Sequence, residues 1–471
     1  MISPSLHPEP VRAACERRRR RCGFGLTPRA IGLLVAGFLW LIPGFWDGRL
    51  AYAMPAWDAL VLLAAMLDGL RMPRASQLIA GRSWSNAPAL DSETEIELTV
   101  ENQGGVILEC RLVDDLPAAL VEEPATYRLT AFPRVAARLR YRVEPKERGD
   151  WETGWLYVSY RSSLGLAERW ARAPLMQKVR VYPALRASEQ QQIFLARSRQ
   201  LDLQLRRAQQ RGLGRDFESL REYREGDDLR DICWTATARR GSPVTRQYQT
   251  ERSQPVWIEL DCGRLMRSRV AMAGEFASGP ATHLHSKLDH ACSMAVALAQ
   301  LALYSGDLVG LLAYGQGIQQ RVLPGRGAAH LRQLIEALAM VRAEAGEADH
   351  LHATAVLSRL QPRRSLILWV TDLAESAMRP EVIDGAAQLS RRHLLLFVAM
   401  AQPEVESIAD SRPKNLEQMF LATAAQEMAG RRELLLAKLH EQGVLTLDLN
   451  PEALTSQVLN QYLAVKERAM V

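Results

Sequence analysis

The sequence predicts a multi-domain chain: an N-terminal transmembrane helical hairpin, an all-β, immunoglobulin-like sandwich, and a doubly wound α/β domain. Three observations carry that expectation. Two apolar runs, residues 30–46, which are uncharged, and 51–67, which carry only Asp58, are separated by a short polar break. Between about residues 80 and 183, apolar and polar residues alternate in short runs bounded by turn residues. From Pro255 onward, continuous apolar runs alternate with helical patterns.

At 471 residues the chain exceeds one simple core, and about three domains is the expectation. A hydrophobic content of 48% with 24% charged residues excludes a disordered chain. The net charge is +6, and the arginine run 17–21 alone supplies five positive charges. Basicity is therefore local, and nucleic acid is not an expected partner. The six cysteines, Cys15, Cys22, Cys110, Cys233, Cys262 and Cys292, show no metal-ligand spacing and read as free thiols in a reducing compartment.

Residues 1–28 read as a basic cytoplasmic tail, and residues 29–70 as two transmembrane helices. Seventeen helical residues reach about 25 Å, enough for a thin or adapted bilayer. Trp40, Trp46, Tyr52 and Trp57 suit interfacial belts. Asp58 is a cost that falls near water if it lies within a turn of the second helix's start. Arg12, residues 17–21 and Arg29 precede the first run, and Arg71 and Arg74 follow the second. Positive flanks stay inside, which places both ends and all later domains in the cytoplasm of a two-span inner-membrane protein.

Residues 80–183 contain "TEIELTVEN", "ILECRLVDDLP", "ARLRYRVEPKERGDW", "GWLYVSYRSSLGLAERW" and "QKVRVYP", each alternating with period two. Short strands at this spacing read as a β-sandwich that binds or spaces. Residues 184–254 are a Gln- and Arg-rich connector followed by a charge-dense segment. Within 255–471, "PVWIELD", "DLVGLLAYG", "IQQRVLPG", "SLILWVTD", "HLLLFVAMA" and "GVLTLDLN" read as strands. Helices are expected over 283–304, 328–343 and 415–441, with a last helix starting at Pro451. Such a sheet is mostly parallel and covered on both faces. Its functional edge lies at the carboxyl ends of the strands, where Asp261 and Asp372 fall.

The stretch "GRDFESLREYREGDDLRDICWTATARRGSPVTRQYQTERSQPVWIELDCGRLM" resembles the signature of the bacterial membrane-anchored family called domain of unknown function 58. The preceding "ERGDWETGWLYVSYRSSLGLAERW" is similar to that family's sandwich region, and the paired apolar runs fit it too. The resemblance implies a von Willebrand factor A-like α/β part and partnership with a MoxR-type AAA+ ATPase. It supplies no biochemical activity. The von Willebrand A fold carries a metal-ion-dependent adhesion site, Asp-x-Ser-x-Ser, followed later by a Thr and an Asp. Here the first motif reads Asp261-Cys262-Gly263-Arg264-Leu265, Asp372 matches the later aspartate, and Thr354 is a loose match for the threonine. Two hydroxyl ligands are missing from a set of about six oxygens. No cofactor is expected; Mg²⁺ is the cation that Asp261 and Asp372 would share if they held one. Otherwise they cap strand ends or pair with Arg264.

In the charge-dense segment, Asp227 or Asp228 would cap a helix over "LRDICWTATARR", with Ile232 and Trp234 facing inward. Arg221, Arg224, Asp227, Asp228, Arg230 and Trp234 then form either a structural clasp or a partner-docking surface, for which Arg and Trp are common anchors. No Gly-x-Ser-x-Gly elbow, Walker loop or dinucleotide fingerprint occurs, so no enzyme is expected. The sequence reads as a membrane-anchored, non-catalytic interaction module for a MoxR-type ATPase or other cytoplasmic proteins. The alternative is binding of nucleic acid or an anionic surface through the Arg-rich residues 197–252.

Overall fold

Period-two alternation decides where the strands of the first unit fall. The computed structural model describes residues 8–17, 24–46, 48, 52–121, 124–184, 216–224, 232–249, 254–271, 284–373, 380–451 and 453–468. It falls into two units, Met1–Ala184 and Leu185–Val471. In the first, the strands are β1 (Val11–Ala14), β2 (Glu16–Arg17), β3 (Phe24–Leu26), β4 (Leu78–Trp84), β5 (Thr94–Asn102), β6 (Leu108–Asp114), β7 (Thr126–Ala131), β8 (Ala136–Val143), β9 (Gly149–Thr153), β10 (Leu156–Ser162), β11 (Ala167–Ala173) and β12 (Gln177–Val181). One antiparallel sheet runs β1-β4-β5-β8 and another β2-β11-β10-β6-β7, with β3 also on β11 and a separate β9–β12 pair. Ile96, Leu98 and Val100, alternate residues of β5, meet Leu108, Leu112, Leu156 and Val158 of the other sheet in one buried core. Their partners at the intervening positions are half-buried, as one-sided burial requires.

The N-terminal stretch is not a free tail. Its residues 11–17 and 24–26 pair with β4 and β11, because their apolar positions complete edges that the later strands leave open. The apolar segment is thus an insertion between β3 and β4, with helices α1 (Pro28–Gly37), α2 (Leu41–Gly44) and α3 (Ala53–Arg71). Among the described residues, α3, at 19 residues, is the one helix long and apolar enough by length and composition to cross a membrane. The first apolar stretch is a shorter helix over Pro28–Trp40. Trp57 Nε1 donates to Leu33 O at 2.8 Å, so the two helices lie side by side. Asp58 sits in the second turn of α3 and is half-buried; one of its carboxyl oxygens, Oδ1, is buried without a hydrogen-bond partner among the described residues.

The base of these helices is clamped to the sandwich. Thr27 accepts from Ala30 N, capping α1, and donates to Gly165 O at 2.5 Å. Asp68, 2% exposed, accepts from Ser162 Oγ at 2.5 Å and from the N–H groups of Leu166 and Ala167, both at 3.1 Å. Inside the sandwich, Arg82 and Asp114 form a fully buried ion pair. Arg82 Nη1 also donates to Thr153 Oγ1 (2.6 Å) and Leu175 O (2.9 Å), and Tyr141 OH donates to Asp114 Oδ2 (2.5 Å). Burial and the Asp114 charge hold the Tyr141 phenol protonated as that donor.

In the second unit, β13 (Asp216–Glu222) and β14 (Val244–Gln249) form an antiparallel pair joined through α4 (Trp234–Arg240). This helix is shorter than the sequence suggests. Ile232 bridges Thr245 and Cys233 N donates to Val244 O, which holds both residues out of the helix. Cys233, not an aspartate, stands at the N-cap, and Trp234 is 70% exposed rather than inward-facing. Gly241, at φ +72°, closes the helix in the left-handed conformation that glycine tolerates.

The remaining strands are β15 (Pro255–Asp261), β16 (Arg269–Ala271), β17 (Leu284–Ser286), β18 (Leu308–Tyr314), β19 (Ile318–Gly325), β20 (Leu366–Thr371), β21 (Leu394–Met400) and β22 (Leu445–Leu449). The helices are α5 (Lys287–Tyr304), α6 (Ala328–Met340), α7 (His350–Leu360), α8 (Pro380–Ser390), α9 (Pro403–Ala409), α10 (Leu416–Glu441) and α11 (Leu454–Glu467). The sheet order is β19-β18-β15-β20-β21-β22, parallel except for β19. Helices α5, α6 and α11 pack together in one group, and α7, α8 and α10 in another. Ser286 and Asp289 form a capping box that starts α5 at Lys287, after a short strand that takes the residues expected as its first turn. Pro451 lies in a turn, and α11 starts at Leu454.

Arg82→Met is expected to destabilise the protein by about 3–5 kcal/mol, because Asp114 stays buried without its cation. The double variant Arg82→Met/Asp114→Leu recovers most of that loss. Denaturant unfolding followed by tryptophan fluorescence reads both, and a single-variant loss below about 1 kcal/mol contradicts the account.

Candidate functional site

Counted from β15, the strand order is 3-2-1-4-5-6, and the order reverses between β15 and β20. Carboxyl ends on either side of such a reversal form the crevice where open α/β sheets place their sites. Asp261 ends β15 and Asp372 follows β20, so the topology brings the two sequence-predicted acids to neighbouring strand tips. Both are buried, at 3% and 0% exposure.

What surrounds them is not a cation shell. Lys287, the first residue of α5, places Nζ 2.5 Å from Asp372 Oδ2, with both side chains buried. Gln402 Nε2 donates to the same oxygen at 3.0 Å. Arg432 of α10 lies 3.7 Å from Asp372 Oδ1 and grips Asp448 of β22 through Nε (3.0 Å) and Nη2 (2.5 Å). Asp372 is therefore met by an ammonium, a guanidinium and an amide. Asp261 accepts from Thr371 Oγ1 (2.5 Å) and from Gly263 N (2.7 Å). Burial pushes its carboxyl up, while His350, Thr371 and Gly263 favour the charged form and Asp372 opposes it. Among the described residues, no group of three or more His, Cys, Asp or Glu side chains is placed to hold a metal.

Thr354 is not at the site. It lies in α7, its hydroxyl faces Gly385 of α8, and it has no hydrogen-bond partner. Thr371, on the strand tip itself, is the threonine that binds Asp261. Arg264 is exposed, and Lys287 and Arg432 are cations that meet Asp372. Behind Asp261, Trp369 Nε1 donates to Tyr314 OH (2.6 Å), which shares a hydrogen bond with His350 Nδ1 (3.0 Å). Glu259, two residues back on β15, is 0% exposed, and neither carboxyl oxygen has a hydrogen-bond partner among the described residues. Burial, with a smaller push from Asp261, raises its pKa to about 8. A cavity of about 300 Å³ opens beside Arg432, with Glu406, Asp410, Glu433 and Asp448 on its wall.

Of the docking residues, Trp234 and Arg224 are exposed, and Arg221 lies on β13 opposite Thr245. Asp227, Asp228 and Arg230 lie outside the described residues, as does most of the Arg-rich 197–252 stretch. Sequence reasoning missed Lys287 and Arg432. The Ser286–Asp289 capping box was a readable start signal for α5, but no spacing rule joins a lysine to an aspartate 85 positions later.

Residues 219–419 match the family described as protein of unknown function DUF58. The DUF58 match spans β13 to the start of α10, so it includes Asp261, Lys287 and Asp372 and stops before Arg432 and Asp448. Uncharacterized proteins of Mycobacterium bovis and Mycobacterium tuberculosis are 27% identical over 203 residues, 42% of this chain and 59% of theirs. The chain thus spans 59% of the length of these curated relatives. Two solved structures are similar at 13% identity. The conserved hypothetical protein BatB from Bacteroides thetaiotaomicron covers 46% of this chain and 100% of its own, at a TM-score of 0.29. An uncharacterized membrane-spanning protein from Vibrio fischeri covers 44% and 96%, at 0.17.

Glu259 makes stability fall as pH rises. The folded protein keeps the proton that the unfolded chain releases near pH 4.5, so the cost grows from there and levels off above about 8. The slope is about 1.4 kcal/mol per pH unit. Glu259→Gln is expected to flatten urea-unfolding stability between pH 5 and pH 8, with its largest gain at the alkaline end. Equal pH slopes for variant and parent would show that Glu259 ionises freely in the fold.

Proposed function

We propose that this chain is a membrane-anchored, non-catalytic interaction module that works with a MoxR-type AAA+ ATPase. In this reading its α/β unit is a von Willebrand factor A-like domain whose adhesion-type site is neutralised from within. The observation that carries it is the Lys287 ammonium 2.5 Å from Asp372, at the position where such a domain would offer its carboxylate to a cation. A site closed this way neither binds a hard ion through Asp372 nor activates water. The strand order and the single antiparallel strand, β19, support the domain assignment. Trp234 supports docking: it is 70% exposed on a short helix that ends in Arg239 and Arg240.

Anchoring rests on the outer faces of the apolar helices. Val35, Leu39, Ile42, Leu60 and Leu70 are each 59–68% exposed, a surface that water does not tolerate at this size. Both apolar stretches cross the bacterial inner membrane in this reading, and the arginines flanking them hold the two soluble units in the cytoplasm.

The test is capture of an AAA+ ATPase from lysate of the source cell by the tagged, detergent-solubilised full chain. Capture is expected to survive Asp261→Ala and to fall about tenfold or more with Trp234→Ala, while the unfolding temperature stays unchanged. Millimolar Mg²⁺ and EDTA are expected to leave that temperature equal. No ATPase under any condition, or a clear Mg²⁺ stabilisation lost in Asp261→Ala, would overturn the proposal.

A further inference from the structure

A cavity of about 600 Å³ lies in the first unit where α3 meets the sandwich. Its place at the foot of the helix is set by three contacts. The Phe24 ring packs against Gly69 in the last turn of α3. Arg169 Nη2 donates to Gly69 O at 2.7 Å and its Nη1 to Pro73 O at 3.1 Å. Tyr160 OH donates to the same Pro73 carbonyl at 2.9 Å. The neighbouring apolar residues Met66, Leu67 and Leu70 of α3 are 51%, 47% and 68% exposed, so the cavity adjoins the apolar surface.

The wall is cationic and aromatic. Arg169 and Arg74 both line it, and neither guanidinium has a carboxylate partner among the described residues. Arg169 uses two of its five N–H donors on the helix-end carbonyls. Glu16 is the carboxylate on the wall; it lies 3.9 Å from Arg172, its cross-strand neighbour, and is 57% exposed. Cys15 adds no charge, because burial pushes its thiol up to about 12. Phe24 and Trp170 supply the apolar remainder.

Two guanidinium groups without counter-ions among the described residues, set beside aromatic rings at the end of an apolar helix, match a phosphodiester whose other end is hydrocarbon. We propose that this cavity binds the phosphate of an anionic phospholipid headgroup, with Arg74 and Arg169 holding the phosphate oxygens and Phe24 and Trp170 lining the start of the acyl region. The inference rests on the membrane anchoring proposed above. Arg74 is the discriminating contact, since it is exposed and Arg169 is already committed to α3.

The test uses the full chain in a neutral detergent, with unfolding followed by tryptophan fluorescence. Short-chain phosphatidylglycerol, short-chain phosphatidylcholine and inorganic phosphate are added at equal concentration and ionic strength. Phosphatidylglycerol is expected to raise the unfolding temperature, and the other two to leave it in place. Arg74→Gln is expected to keep the unliganded temperature and weaken the phosphatidylglycerol response about tenfold or more, whereas Arg142→Gln, on the exposed face of β8, keeps it. Glu16→Gln, which removes the wall's carboxylate, is expected to strengthen the response.

An equal response to phosphatidylcholine, which carries the same phosphodiester with its charge balanced by choline, would show that the site does not select an anionic headgroup, and an equal response to inorganic phosphate would make this a soluble-anion site. A full response in Arg74→Gln would place the lipid elsewhere. Each of the three overturns the proposal. Alkaline carbonate extraction of cell membranes separates this failure from that of the anchoring reading. A chain retained in the pellet without a phosphatidylglycerol response loses only the headgroup site, and a chain released to the supernatant loses the anchor.

Discussion

The arrangement of the α/β unit depends on how one buried charge is balanced. Asp372 stands at the switch point of the sheet with no exposure, where an uncompensated carboxylate would cost several kcal/mol. Three elements far apart in sequence converge to prevent that: the first residue of α5, the segment after β21, and the middle of α10. Arg432 extends the arrangement to Asp448, so the last strand of the sheet is tied to the same charge. The unit is built around an anion whose partners belong to the protein.

The sandwich follows a parallel logic. Arg82 and Asp114 are buried as a pair, and Thr153, Leu175 and Tyr141 satisfy their remaining polar capacity. Such a pair contributes little net stability against a well-packed apolar substitute, yet it penalises any arrangement that separates β4 from β6. Glu259 is the contrasting case. It is buried with no partner, and the fold tolerates it by keeping it neutral.

Where a local rule governs the structure, the sequence was a sufficient guide. "TEIELTVEN" and "IQQRVLPG" are β5 and β19 to the residue, because period-two alternation, in the first case, and the tight glycine-containing turn from the preceding strand, in the second, are local signals. Asp261 and Asp372 were legible as strand-tip acids for the same reason: each ends an apolar run. The N-terminal strands were not legible. Short pieces beside an arginine run carry no periodicity of their own, and their pairing with β4 and β11 is decided by sheet edges formed much later in the chain. The helix expected from Asp227 or Asp228 does not include Ile232 and Cys233, where backbone pairing to β14 outweighed local helix preference. Lys287 was invisible because its role depends on a partner 85 residues away.

The insertion of the apolar helices between β3 and β4 has a consequence for how the chain is made. Strand β1 pairs with β4 and β3 with β11, so the residues before and after the helical excursion are stitched into neighbouring sheets. Residues 16–17 and 24–26 leave the ribosome early and wait for β11, about 140 residues later, before their hydrogen bonds can close, whereas β1 waits only for β4. Once they close, both ends of the excursion are fixed in the sheets of the first unit. The sandwich therefore binds the two ends of the insertion into one fold: parting them would mean breaking a β-sheet, not merely bending a loop.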